Sequence, residues 1–377
     1  MKLRPLSPAL YFWRNKTRAL PVLGIIALSV LGVLLVGILA DTMLNNFRQN
    51  FVGPSAIFAR IYARKESLPP NIAAVLRHHP DVERVIPGLR ASVHVQGLQG
   101  SEGNPVIAVA PGDLDYFMDK VSLHLAEGRL PVGSRREIAL HDEAMRNKGL
   151  KIGDQVGRDL DLNEYLPAKF TVVGKLEGPF SMSVVPLAAL REIYGQSGDT
   201  SLFVFPKPGR MRPVDGYLSQ LDSDKVATET ATTMARRYES ETGNINIILW
   251  AINGVTMIVL SLAVGLLNNI YFIQRLGEFG ILSAIGYPTG FLIRRTLIEA
   301  TILSVVGWLL GLGLASVGAE IIRVWLFNPR GMTLVNLSSR TIVFTVPIPV
   351  LTGAFSLVTV IRRLRALDPV SIVERRD

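Results

Sequence analysis

The chain of 377 residues contains no cysteine, which excludes a disulfide framework and a thiol nucleophile. No G-x-x-x-x-G-K-[ST] stretch occurs, so the chain cradles no nucleotide phosphate in that way. Of its five histidines, His78, His79, His94, His124 and His141, none has H-E-x-x-H spacing. Adjacent His78 and His79 close a predicted helix, where the dipole favours cations, and read as caps rather than metal ligands. There is no G-x-S-x-G elbow. Acidic residues are scattered through polar loops, and a pair such as Asp159 and Asp161 reads as solvated. No catalytic, cofactor or metal site is expected, and the chain reads as a non-enzyme.

What is abundant is apolar sequence. Hydrophobic residues make up 49% of the chain and mean hydropathy is +0.32, values that ask for a membrane. Four stretches answer: Leu20 to Ala40, Ile247 to Ile273, Leu297 to Ala319 and Thr341 to Ile361, each meeting the roughly 20 helical residues a bilayer core requires. A cleaved signal peptide is the alternative for the first. Its apolar run exceeds a typical h-region, and Ile38 and Ala40 make a poor A-x-A site, so an anchor is preferred.

Net charge is +9, an excess that raises nucleic acid as a partner until its position is considered. From Asp41 to Gly243 there are 24 Lys/Arg against 25 Asp/Glu, whereas the rest of the chain carries 16 against 6. The basicity sits beside the apolar stretches: Lys2, Arg4, Arg14, Lys16 and Arg18 before the first, Arg275, Arg294 and Arg295 between the second and third, and Arg362, Arg363, Arg365, Arg375 and Arg376 after the fourth. The positive-inside rule places all three groups, and both termini, on the cytoplasmic side. A multi-pass protein of the cell membrane is expected, with no nucleic-acid partner. Its exported domain would fold by core burial alone.

The predicted layout is therefore an α-helical membrane protein with four transmembrane helices and an α+β extracytoplasmic domain. Residues 1–19 form a cytoplasmic amphipathic segment, in which Trp13 sits at headgroup depth; 20–40 is the first span; 41–244 is the outer domain, in two subdomains, with about 100–195 inserted; and 245–273 is the second span with a preceding stalk. Residues 274–296 are cytoplasmic, 297–319 the third span, 320–340 an outer loop, 341–361 the fourth span and 362–377 a cytoplasmic tail. Trp250 and Trp325 fall at the outer boundary. In the outer domain "SAIFARIY", "ERVIPGLRASVHVQG", "REIAL", "KFTVVGKL" and "SLFVFP" read as strands and "PPNIAAVLRHH" as a helix with Ile72, Val75 and Leu76 on its spacing; "PGD", "EGR", "PVGS" and "KPG" read as turns. From Asp224 to Thr242 no Pro or Gly interrupts the chain, which predicts a continuous helix running into the second span.

Small residues recur at four-residue intervals, Gly307, Gly311 and Ala315 in the third span and Ser261 and Gly265 in the second, and these are expected to let helices pack closely. Glu299, one turn after Arg295, reads as an ion-paired residue at the interface. Asn253, Asn268 and Asn269 read as interhelix hydrogen-bonding groups.

Between the second and third spans lies "RLGEFGILSAIGYPTG", half apolar but too interrupted to cross a bilayer. As a helix it places Phe279, Leu282 and Gly286 on one face with Ile281 and Ile285 beside it, and it ends near Gly286 because Tyr287 precedes Pro288. Gly280 and Gly286 weaken a helix lying on lipid but permit close approach to a protein groove.

At "RLGEFGILSAIGYPTGFLIRRTLIEATILSVVGWLLGLGLA" the sequence resembles the permeases of the MacB and FtsX type ABC transporters, whose signature is R-x-x-E-[IF]-G-x-L-x-A-x-G followed by an E and a glycine-rich span. "RNKTRALPVLGI" and "RALDPVSIVERRD" are similar to the family's two ends, and "VIAVAPGDLDYF", "LAEGRLPVGSRREIALHDEAMRNKGLKIGDQV" and "FTVVGKLEG" to the MacB-like periplasmic core domain. The resemblance implies a permease, homodimeric or heterodimeric, bound to a separate cytoplasmic ABC ATPase that holds ATP and Mg, and it leaves room for a periplasmic adaptor or accessory protein. It implies that Arg275, Glu278, Phe279, Gly280, Ile281, Leu282, Ala284, Ile285, Gly286 and Tyr287 form the ATPase-coupling segment. It further implies mechanical relay of ATP-driven motion to the outer domain, for export or extraction of a hydrophobic or amphipathic substrate. The alternative is an FtsX-like signalling permease that regulates a cell-wall hydrolase. Family members usually carry a basic residue where Ser283 stands and small ones at Tyr287 and Pro288, a departure that points to a partner with a more apolar surface.

Overall fold

A computed structural model describes residues 16–365 except 66, 98–99, 197, 274–276, 278–279 and 283–284. Within them the chain divides into two compact units, one in Thr42–Ile245 and Arg323–Leu334, the other in Met1–Asp41, Asn246–Ile322 and Val335–Asp377. In chain order the elements are α1 (Lys16–Phe47), β1 (Ala59–Ala63), α2 (Ile72–Arg77), β2 (Val82–Gly97), β3 (Gly100–Val109), α3 (Pro111–Lys120), β4 (His124–Gly128), β5 (Glu137–His141), α4 (Asp142–Lys148), β6 (Gln155–Val156), β7 (Phe170–Glu177), β8 (Ser183–Pro186), α5 (Leu187–Tyr194), β9 (Ser201–Pro206), α6 (Met211–Leu221), β10 (Val226–Glu229), α7 (Ala231–Ile273), α8 (Thr289–Ile322), α9 (Ser339–Thr345) and α10 (Pro347–Arg365).

The first unit is built on a mixed sheet in the order β10-β1-β9-β2-β3-β8-β5-β7-β4, with β6 paired to β7. The pairs β3/β8 and β5/β7 are parallel, and the others are antiparallel. Successive strand residues face opposite sides, and in the central strands both sides are covered. On β3, Val106 and Ala108 enter one core with Leu140 and Leu190, while Ile107 and Val109 enter another with Phe117 and Phe205. On β9, Phe203 and Phe205 join that second core and Leu202 and Val204 join a third with Val214 and Leu218 of α6. Phe58 sits among Phe117, Phe203 and Phe205 with ring centroids 5.7, 5.3 and 5.4 Å away.

Several expectations need correction. Of "SAIFARIY" only the last four residues, Ala59 to Tyr62, are strand, because Pro54–Ala56 forms a single 3-10 turn. Val75 is exposed, and Leu76 alone of its helix is fully buried. "PGD" is no turn: Pro111 opens α3, where its missing N–H is no loss, and Asp113 lies in the first turn. The run from Asp224 is not one helix either. Val226–Glu229 pairs with β1 and buries Val226 and Ala227, so tertiary pairing overrides helix propensity. Helix α7 starts at Ala231 behind a reciprocal cap, in which Thr233 N–H donates to Thr230 Oγ1 at 3.2 Å and Thr230 N–H donates to Thr233 Oγ1 at 2.7 Å. Buried Asp215 of α6 accepts from both the N–H and the hydroxyl of Thr232, each at 3.0 Å.

The segment Arg323–Leu334 belongs to the same unit. Gly331 lies in the left-handed region at φ 64, where an added methyl would collide with the Glu143 carbonyl. Asn147 Nδ2 donates to the Arg330 carbonyl at 2.6 Å, so α4 holds this loop by backbone contact.

The other unit is helical. Among the described residues two helical stretches, Ala19–Asn46 and Gly290–Arg330, are long and apolar enough to cross a membrane; Trp250–Ala263 and Thr341–Phe355 are shorter apolar helices. Ile247, Val255, Ile258, Leu309, Val317 and Val350 are exposed, an apolar surface suited to hydrocarbon rather than water. Trp13 lies outside the described residues.

Replacing Phe203 by Ala empties a site that touches two ring neighbours, and melting of the purified chain should report a loss of about 3–5 kcal/mol. Burial pushes the His141 imidazole below its ordinary 6.5, against the opposing charge of Glu143. Native His141 therefore resists a proton that the unfolded chain accepts, so its contribution is full above pH 6.5 and is lost as pH falls below it. The melting temperature of His141→Gln should vary less with pH over that acid range than that of wild type.

Candidate functional site

Gly277 and Gly280–Leu282 are helical, and the Ile285 N–H donates to the Ile281 carbonyl at 3.1 Å. At Gly286 φ is +100, and the Tyr287 N–H donates back to the Leu282 carbonyl at 3.1 Å. That six-to-one bond around a left-handed glycine is the long bond of a Schellman cap. Nothing lies within 4 Å of a Cβ built on Gly286, so backbone conformation and not crowding selects glycine. The Tyr287 ring rests on Phe291, centroids 5.4 Å apart, and Pro288 accepts from the N–H of Phe291 to open α8.

Side-chain placement is distributed along this turn. Gly280 is buried, Leu282 and Tyr287 are half-buried, and Ile281 and Ile285 are 52% and 71% exposed. Four residues apart, these two isoleucines make one apolar edge. Arg275, Glu278, Phe279, Ser283 and Ala284 lie outside the described residues. Close behind, Arg295 Nε reaches Glu299 Oε1 at 3.2 Å with Glu299 only 3% exposed, which gives a buried carboxylate the partner it needs.

The small-residue positions meet other helices of the same chain. A Cβ on Gly307 would stand 2.8 Å from Ile26 Cβ, and one on Gly311 would stand 2.6 Å from Val30 Cβ and 2.9 Å from the Ala27 carbonyl. Ala315 is fully buried. On α7, a Cβ on Gly265 would lie 2.9 Å from Phe355 Cβ of α10; Ser261 is fully buried with its Oγ unpartnered. Asn253 is half-buried, and the side chains of Asn268 and Asn269 lie outside the described ones.

Two polar ties in this unit were not anticipated. Asp41 Oδ2 accepts from Ser338 Oγ at 3.2 Å and Thr341 Oγ1 at 2.7 Å, while Ser338 Oγ caps the Thr341 N–H of α9. Trp308 Nε1 donates to Thr345 Oγ1 at 3.0 Å. A serine just before an apolar run is an N-cap signal, so half of the first tie was open to sequence reading. Among the described residues no three His, Cys, Asp or Glu side chains are grouped to hold a metal. What the described residues bring together here is apolar contact and close helix packing.

A family model described as the MacB-like periplasmic core domain matches residues 19–257, and one described as the FtsX-like permease C-terminal matches residues 250–369. The macrolide export ATP-binding/permease proteins MacB of Neisseria gonorrhoeae and of Neisseria meningitidis are each 24% identical over 218 residues, covering 54% of this chain and 34% of the relative. The chain thus spans about a third of the length of these curated relatives. Among solved structures, the periplasmic region of MacB from Actinobacillus actinomycetemcomitans aligns with TM-score 0.32 and 16% identity, covering 49% of this chain and 94% of that one. The extracellular domain of the noncanonic ABC-type transporter YknZ from Gram-positive bacteria aligns with TM-score 0.31 and 13% identity over 46% of this chain and 100% of that one.

Because Gly311 abuts α1 while nothing lies within 4 Å of a Cβ on Gly313, the two positions form a matched pair. Gly311→Leu should broaden or shift the size-exclusion peak in detergent and lower the melting temperature, as overpacking does. Gly313→Leu should leave both near wild type.

Proposed function

The chain belongs to the MacB/FtsX-type permease family, and from that premise we propose that it is the membrane-spanning, force-transmitting half of an ABC transporter. ATP and Mg are bound by an ATPase that lies outside these residues. The observation that carries this reading is the capped helix end at Gly286, which presents Ile281 and Ile285 as an unburied apolar edge. A groove on the ATPase receives that edge, together with Arg275, Glu278, Phe279, Gly280, Leu282, Ala284 and Tyr287. The chain crosses the membrane four times with both termini in the cytoplasm. Two copies assemble with the ATPase, with or without an adaptor outside.

ATP biases such a machine only as far as it binds the closed arrangement more tightly. Closure draws the cytoplasmic ends of the spans together, and α7, 43 residues long or about 65 Å, carries the displacement toward the sheet. The mixed sheet and its flanking helices then act on a hydrophobic or amphipathic substrate, extracted or exported rather than passed through a pore. The packing of α8 on α1 at Gly307 and Gly311 supports this, since closely packed helices move as one body. A second reading, an FtsX-like permease that regulates a cell-wall hydrolase, draws on the match over residues 250–369.

Ile285 is exposed, so Ile285→Glu should leave the fold intact and abolish copurification of the ATPase. Gly286→Trp should do the same through the helix end. A complex that survives both changes removes the docking role. Substrate accumulation in a deletion strain supports export, and a hydrolase captured by the full chain supports signalling.

A further inference from the structure

Beside α4 the sheet-bearing unit holds a polar cavity. Gln96 near the end of β2, Asn104 of β3, Glu143 and Asn147 of α4, Ser181, and Thr333 of the Arg323–Leu334 segment line it. Asn147 fixes its rim: its amide accepts from the Gln96 N–H at 2.7 Å and donates to the carbonyls of Gln96 at 3.0 Å and Arg330 at 2.6 Å. Three segments are thus held around one space.

A chain of hydrogen bonds sets what that space lacks. His141 Nδ1 receives the Glu143 N–H at 3.3 Å, and burial pushes the imidazole pKa down, so this nitrogen is a neutral acceptor. It takes the Ser181 hydroxyl proton, also at 3.3 Å, and Ser181 Oγ in turn accepts from Asn104 Nδ2 at 2.7 Å. The Asn104 amide therefore has one orientation, and its oxygen is left over. Asn104 is 6% exposed, and its Oδ1 has no donor among the described residues, a state that calls for a partner. The Glu143 carboxylate, half-buried in the same lining, also makes no hydrogen bond or salt bridge among the described residues. Arg330 lines the cavity as well but is exposed, where water screens its charge.

Two oxygen acceptors, one of them anionic, suit a cation that carries N–H donors. A primary ammonium has three. A hard divalent ion takes roughly six or more oxygens, whereas no three His, Cys, Asp or Glu side chains gather to hold one among the described residues. The cavity measures about 60 Å³, room for about four water-sized atoms, which accommodates an ammonium nitrogen and the carbons next to it.

We propose that this cavity is a binding site for a primary ammonium group, with Glu143 as countercharge and Asn104 Oδ1 as second acceptor. The ammonium can belong to a free small amine or to the head of an amphiphile, and the two are separated by probe. The site stands apart from the ATPase reading, because its readout needs only the purified full chain.

The test is a melting-temperature titration of the full chain in an uncharged detergent at constant ionic strength. The probes are ethylammonium, tetramethylammonium, decylammonium and decyltrimethylammonium chlorides, with calcium chloride beside them. A primary ammonium that binds the native state raises the melting temperature in a concentration-dependent way, and its methylated counterpart, of equal charge but without N–H, should not. Glu143→Gln keeps the shape and loses the charge, and should weaken the response about tenfold or more. Asn104→Ala should weaken it too, each variant being read against its own baseline. Ethylammonium as effective as decylammonium identifies a free amine, and decylammonium alone identifies an amphiphile's head. The proposal is overturned if neither primary ammonium shifts the transition, as a water-filled cavity would give. It is equally overturned if the methylated probes match, if calcium alone acts, or if Glu143→Gln responds as wild type.

Discussion

Strand β2 is the constraint on which the sheet-bearing unit depends. Its 16 residues carry backbone N–H and C=O groups that need partners wherever they are buried. It solves this by changing partners along its length. Val82 to Pro87 pair with β9, and Gly88 to Gly97 pair with β3. Everything on the β3 side folds as an excursion that leaves and rejoins this strand, and everything on the β9 side is closed by β1 and β10. Gly88 marks the handover, where Phe203 and the Ala108 carbonyl leave no room for a side chain.

Legibility in the sequence followed contrast. Strands β2 and β7 and the short helix α2 could be read because their residues alternate or repeat against a polar background, and β5 and β9 because each is a short apolar run bounded by polar or turn residues. Strand β3 could not. Its first half, "GSEGNP", is polar and its second half is buried on both faces, which removes the period-2 signal. Helix α6 contains Pro213 and Gly216, both of which argue against a helix until the core it covers is known. The start of α7 was misplaced because four residues with tolerable helix propensity had a β partner over 160 residues away, Glu229 opposite Arg60.

For the candidate site the balance was different. The helix end at Gly286 was legible because glycine before Tyr-Pro is a local signal, and the small-residue stripes were legible because their period is that of a helix. Which of the apolar residues stay uncovered was not, since Ile281 and Ile285 rather than Leu282 carry the exposed edge. The tie from Asp41 to Thr341 spans 300 residues and leaves no trace in composition or spacing. Sequence thus announces where a chain turns and how closely it can pack, while the identity of the neighbour comes from folding.

The cap at Gly286 works as a ruler. Because the backbone shape there is one that other residues adopt only under strain, the position of a single glycine, and not the composition around it, sets where the helix stops. Each residue of helix turns the surface by about 100°. Sliding that glycine by one place would swing the isoleucine edge more than a quarter of a circle relative to Tyr287 and the head of α8, so a one-residue insertion or deletion would amount to a change of key, with every tooth intact and facing the wrong way.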